Sequence, residues 1–208
     1  MTFSSIKNLH RYSGKIIWLP VMLLLSACVS TPEKKGDEEY AVQINFVENR
    51  SVDLSIREDF AAASEMLQQK QYKQAVNLLI KVIKGSQKNS APHINIAIAY
   101  TMLGETEDAE KNLKLALDIN PDHPVANNEY ALMLRKSGRY SEARLRYGKM
   151  LAKYPGFMPA RKNYGILCDL YLNDAPCALE QYEAYIKVFP DDEDVKLWIS
   201  GVKQKLGS

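Results

Sequence analysis

From about Arg57 onward, apolar and small residues recur three and four positions apart, in runs separated by short polar breaks. That is the period of a helix with one buried face. The runs predict helices over 57–70, 72–85, 91–103, 106–119, 124–137, 140–153, 159–171 and 176–188. The breaks are only a few residues long, so successive helices fold back on one another as hairpins. A further helix is expected within 191–208, where Val195, Trp198, Ile199, Val202 and Leu206 fall on one face. The acids Asp191 to Asp194 precede that face and suit the positive end of a helix. Upstream the pattern changes. In the stretch Tyr40–Val47, Val42, Ile44 and Phe46 alternate with Gln43 and Asn45, a strand-like period. A lone strand is unstable, so this is an extended arm that either lies on the helices or orders on a partner.

The helical pairs repeat one another. Ala97, Tyr100, Gly104, Ala109, Leu113 and Pro121 are answered, each 34 positions later, by Ala131, Leu134, Gly138, Ala143, Tyr147 and Pro155, and Ala116 is answered by Leu151 at 35. Ala63, Met66, Ala75, Leu79 and Val82 hold the same offsets upstream. Gly165, Cys168, Ala178, Tyr182, Tyr185 and Pro190 hold them downstream once one residue is inserted near Ala175. Small residues suit the close crossing of two helices, Gly turns through positive φ at little cost, and Pro ends a helix. The period and residue types resemble the tetratricopeptide repeat. The resemblance implies an all-α solenoid of about four helix-turn-helix repeats, over 57–89, 90–123, 124–157 and 158–190, with 191–208 as a C-terminal capping helix.

The N-terminal segment adds a location. Lys7, Arg11 and Lys15 precede the apolar run Ile16–Leu25, which is short and interrupted by Pro20. This reads as a secretory signal rather than a membrane span. It ends in Leu25-Ser26-Ala27-Cys28, which resembles the lipobox of bacterial lipoproteins. The resemblance implies a signal peptide at 1–27, a lipid-modified Cys28 as mature N-terminus, and a membrane anchor through its acyl chains. Val29 follows where an inner-membrane retention signal would have Asp, so the implied place is the periplasmic face of the outer membrane. Residues 28–56 are then a tether and the extended arm.

Charge supports protein partners more than nucleic acid. Three of the 27 basic residues and none of the 25 acidic ones lie in the leader, which leaves 24 against 25. There is no basic stripe and no RNA-binding motif. With Cys28 acylated, two of the three cysteines remain, Cys168 and Cys177. They fall on facing ends of one helical hairpin, and a disulfide between them is expected in an oxidising compartment. Their spacing excludes a CxxC redox pair, and no metal site or cofactor is indicated. Asp191 to Asp194 lack the spaced ligands and the turn Gly of a calcium loop. His93 and His123 have no triad or ligand partner at a suitable spacing, and solvated side chains are the simpler reading. No phosphate loop, nucleophile elbow or HExxH is present, so an enzyme is not expected.

In tetratricopeptide repeats the first helix of each pair lines a concave groove. By that resemblance Ile98, Leu132 and Ile166 stack as an apolar stripe, widened by Ile94, Met102 and Leu170. Asn128 also faces the groove, Asn95 and Asn163 lie one residue round the helix, and Arg135 and Lys162 are rim charges. The family's pattern for clamping a peptide C-terminus is met only at Asn95, so that ligand is not supported. The reading that follows is a lipid-anchored periplasmic scaffold or assembly factor that binds another envelope protein. In layout it is similar to the repeat lipoproteins of type IV pilus assembly. The alternative is an accessory of a trans-envelope complex of the TonB, ExbB/ExbD or gliding-motility kind. An envelope enzyme or peptidoglycan-binding module lacks a catalytic constellation.

Overall fold

The computed structural model describes residues 53–207. The leader, Cys28 and the arm at Tyr40–Val47 lie outside them. Among the described residues the chain forms nine helices and no strand. They are α1 Leu54–Gln68, α2 Tyr72–Gly85, α3 Ala91–Leu103, α4 Thr106–Ile119, α5 Pro124–Lys136, α6 Tyr140–Lys153, α7 Met158–Leu170, α8 Ala175–Ile186 and α9 Glu193–Leu206. Four hairpins, α1/α2 to α7/α8, follow one another as a solenoid, and α9 packs on α8. None of the described helices is long and apolar enough to cross a membrane.

Local chemistry sets the boundaries. α1 begins three residues earlier than the periodicity alone predicts, because the Asp53 carboxylate accepts from the Ser55 N–H at 3.0 Å and starts the helix there. Prolines stand in the first turn of α3, α5, α7 and α8, where their missing N–H has no helical partner to lose. The first helix of each hairpin ends near one residue of positive φ. It is Gly104 at 80° and Gly138 at 79° in the two middle repeats. The outer repeats use Lys70 at 61° and Asn173 at 49°, conformations that strain a side-chain-bearing residue. The extra residue of the fourth repeat lies in this turn, since 171–174 joins α7 to α8 where 137–139 joins α5 to α6.

Packing follows the repeat. Ala63, Ala75, Ala97, Ala109, Ala131, Ala143 and Ala178 are all buried where paired helices cross. Larger residues of the second helices fill the space beside them: Leu79, Leu113, Tyr147 and Tyr182. The fourth repeat has Gly165 where the second and third have Ala97 and Ala131, and there the Tyr182 ring lies closer to the first helix than a side chain would allow. A Cβ on Gly165 would lie 2.4 Å from the Tyr182 ring. The core runs through the solenoid as three successive clusters, and the last is closed by Val195 and Val202 of α9, with Trp198 and Ile199 at its edge. α9 carries Glu193 and Asp194 in its first turn and Lys203 and Lys205 in its last, each sign at the favourable end of the helix dipole. Cys168 of α7 and Cys177 of α8 are joined, with Cα atoms 5.9 Å apart. The bridge pins the hairpin whose turn is one residue longer than its neighbour's.

Candidate partner-binding groove

The first helices α3, α5 and α7 bear the residues assigned to the groove, and the structure sorts them into three groups. Ile98, Leu132 and Ile166 are half-buried. Ile98 packs on the first core cluster and Ile166 on the third. Met102 at 59% and Leu170 at 67% relative exposure are open to solvent one turn further on. These five form an apolar strip, interrupted by the exposed Lys136 at the repeat position between Met102 and Leu170, that the described residues leave partly uncovered.

The second group is polar and largely inward. Asn95 is buried and donates to the Ser64 hydroxyl at 3.3 Å, tying α3 to α1. Asn128 is buried as well. It accepts from the Asn163 amide at 3.2 Å, tying α5 to α7, and donates to the Glu129 carboxylate at 3.0 Å. These amides set the spacing of neighbouring first helices, which fixes the strip's geometry. Beside α3 and α5 lies a cavity of about 320 Å³ lined by Thr101, Thr106, Glu129, Leu132, Met133 and Lys136, with Ser137 at its edge. Burial pushes the Glu129 carboxyl above its usual range, against the Asn128 hydrogen bond and the charge of Lys136. The sequence reading missed Glu129. Its signal was a carboxylate three residues before Leu132, on the same face of α5.

The third group departs from expectation. Ile94 is fully buried and belongs to the core cluster that contains Phe60 and Ala63, because the N-terminal half of α3 is enclosed on every side. It cannot widen the groove. Lys162 is no free rim charge. Its ammonium pairs with Asp192 at 2.9 Å, and the two side chains are only 15% and 11% exposed. It also lies 5.2 Å from the centre of the Tyr185 ring and 5.8 Å from that of Trp198. Arg135 is half-buried, with its guanidinium 5.7 Å from the centre of the Tyr171 ring, and its Nε is buried with no hydrogen-bond partner among the described residues.

The histidines differ from the solvated pair expected. His93 is buried on α3, with Nδ1 3.2 Å from the Asn112 side-chain oxygen, and burial lowers its pKa against that bond. His123 is half-buried and caps α5, its Nδ1 accepting from the Ala126 N–H at 3.4 Å. Among the described residues no three His, Cys, Asp or Glu side chains come together as a metal site.

An all-α solenoid of paired helices, with small residues at each crossing and a closing helix, is the architecture of tetratricopeptide-repeat proteins. A sequence-family model, described as the tetratricopeptide repeat, matches residues 66–133. Solved structures share the fold over more of the chain. Pseudomonas aeruginosa pilF is 20% identical, with a TM-score of 0.66, and the match covers 72% of this chain and 68% of that one. Residues 41 to the end of MamA from Desulfovibrio magneticus RS-1 match at 15% identity and TM-score 0.64, covering 76% and 88%. A thermophilic TPR protein of Thermus thermophilus matches at 18% identity and TM-score 0.62, covering 72% and 81%.

Proposed function

We propose that this protein is a lipid-anchored scaffold of the bacterial envelope that binds a segment of another envelope protein along the first-helix face. The observation that carries the binding reading is the strip of Ile98, Leu132 and Ile166, continued by the exposed Met102 and Leu170. Apolar surface costs about 25 cal/mol per Å² to leave in water, and contiguous apolar patches on soluble proteins mark interaction sites. An amphipathic helix or an extended segment fits such a surface. The anchor rests on Leu25-Ser26-Ala27-Cys28 behind a basic flank and a short apolar run. The narrower role, an assembly factor of a pilus- or secretion-type machine, rests on layout: leader, lipidation cysteine, four repeats and a cap.

Two measurements test it. Leu132→Asp places a charge on the half-open strip, whereas Ala143→Asp buries one where helices touch. Leu132→Asp should abolish capture of the partner from crosslinked outer membranes while its helical circular dichroism and melting stay close to those of the parent. Ala143→Asp should unfold its repeat. Equal melting damage from both would mean that Leu132 serves the core. Loss of neither fold nor capture would move the binding site elsewhere. Cys28→Ala should leave an unacylated precursor, and retention of that variant in urea-washed outer membranes would refute the lipid anchor.

A further inference from the structure

A second cavity of about 320 Å³ opens on another face of α5, against α6. At its wall Arg146 is held in place from two sides. Its Nη1 donates to the Asn127 side-chain oxygen at 2.8 Å, and its guanidinium carbon lies 4.5 Å from the centre of the Tyr130 ring. Asn127 is itself fixed, because its amide donates to the carbonyls of Pro121 at 2.9 Å and His123 at 3.0 Å. Tyr130 is fixed through its hydroxyl, which donates to Glu110 at 3.0 Å. Arg146 is half-buried and forms no ion pair among the described residues, although the charge of Glu142, one turn earlier, acts on it through space. The two acids that line the cavity are engaged elsewhere. Glu142 is held in a two-point contact by Arg139 at 2.7 Å for each bond, and Asp122 by Lys153. Lys149 stands exposed on the same wall, without an ion pair among the described residues.

A desolvated guanidinium with a neutral amide as its hydrogen-bond partner is unusual, because buried charge is costly unless an opposite charge meets it. Its planar fork suits a carboxylate. The rest of the wall is Pro121, Leu134, Met150, Tyr154, Leu145 at 59% exposure, and the Lys153 that pairs with Asp122. Glu142 and Asp122 stand near enough to disfavour a doubly charged anion. We propose that this cavity is a second binding site, separate from the groove, and that it takes a single carboxylate flanked by an aliphatic group, as on an acidic-aliphatic segment of a protein partner. Arg146 receives the carboxylate, Lys149 closes over it, and Leu145 covers the aliphatic group.

The test uses the full chain in detergent and N-acetyl-leucine, a carboxylate beside an isobutyl group, followed by ligand-observed NMR. A ligand of that size is expected to bind with a dissociation constant on the order of 1 mM. N-acetyl-leucinamide, which lacks the charge, should bind at least tenfold more weakly. Arg146→Gln should lose binding by a similar factor. Lys149→Glu, a change on an exposed residue that leaves the melting curve in place, should do so too. Equal binding of the amide would show a merely apolar cavity and overturn the proposal. Inorganic phosphate displacing N-acetyl-leucine more effectively than N-acetyl-leucine competes for itself would make it a phosphate site instead. Undiminished binding to Lys149→Glu, or no binding to the parent at millimolar concentration, would also refute it.

Discussion

Asp192 does three things at the junction between the last repeat and the closing helix, and its removal should be felt in all of them. Its carboxylate caps α9 by accepting from the Val195 N–H at 3.2 Å, pairs with Lys162 at 2.9 Å, and accepts from the Tyr185 hydroxyl at 3.2 Å. Loss of an N-cap costs about 1 kcal/mol. Breaking a fully buried ion pair by removing one partner costs roughly 3–5 kcal/mol. Here both side chains keep some exposure, and Lys162 retains its aromatic neighbours, so about 2 kcal/mol is the fitting share. Asp192→Ala should therefore destabilise by about 3 kcal/mol, a fall in Tm of roughly 6–12 °C for a chain of this size. Thermal melting by circular dichroism checks it, with exposed Asp191→Ala as the control that should not move. The pH dependence is a second readout. Burial pushes the Asp192 carboxyl up, but Lys162, the Val195 N–H and Tyr185 together outweigh it, and the net shift is downward. A depressed carboxylate contributes its stability above the unfolded value of about 4 and loses it as pH falls through the folded value. The difference between parent and Asp192→Asn should thus be full near neutrality and shrink in strong acid. A Tm for Asp192→Ala no lower than that of Asp191→Ala would refute the assignment of Lys162 and Asp192 as the latch of the cap.

Three further outcomes are expected. Glu129→Gln should raise Tm at pH 7, because burial holds the Glu129 carboxyl above its usual range and its charged form is disfavoured in the fold. The gain should vanish below the ordinary Glu value of about 4.3, and a destabilised variant at pH 7 would contradict it. Lys70→Gly should stabilise by about 0.5–1 kcal/mol, since Lys70 holds φ at 61° where glycine is at ease; denaturant titration measures it. Reduction of the Cys168–Cys177 bridge, which spans nine positions of sequence, should destabilise by about 2–3 kcal/mol in the chain-entropy account. Intact mass before and after reductant should differ by two hydrogens, and two alkylatable thiols in unreduced protein would rule the bridge out.

The helices were legible in the sequence because their punctuation is local. Gly104, Pro121 and Pro155 act through their own backbones, so the predicted ends of α3, α4 and α6 coincide with the observed ones, while α5, which precedes Gly138, ends one residue early. The start of α1 was missed because its signal is a single cap, Asp53, ahead of any periodic run. The groove was legible only in part, and the errors share a physical origin. A repeat offset specifies which face of a helix a residue occupies, but not what lies against that face. Ile94 and Ile98 stand one turn apart on α3. The enclosed N-terminal half takes Ile94 into the core, and the more open half leaves Ile98 partly exposed. Lys162 occupies a first-helix position of the fourth repeat. The neighbour there is the start of α9, and Asp192, 30 residues on, claims the ammonium. Arg146 shows the same limit from the other side. Nothing in its neighbours Leu145, Tyr147 and Lys149 marks it, and its position is defined by Asn127, 19 residues earlier, and by Tyr130. A solenoid's periodicity therefore predicts its frame, while charges that bind or latch are decided by pairs formed between helices. The residues at which those pairs break the repeat, Lys162 at the closed end and Arg146 in the third repeat, are the ones whose substitution separates the cap, the groove and the second cavity experimentally.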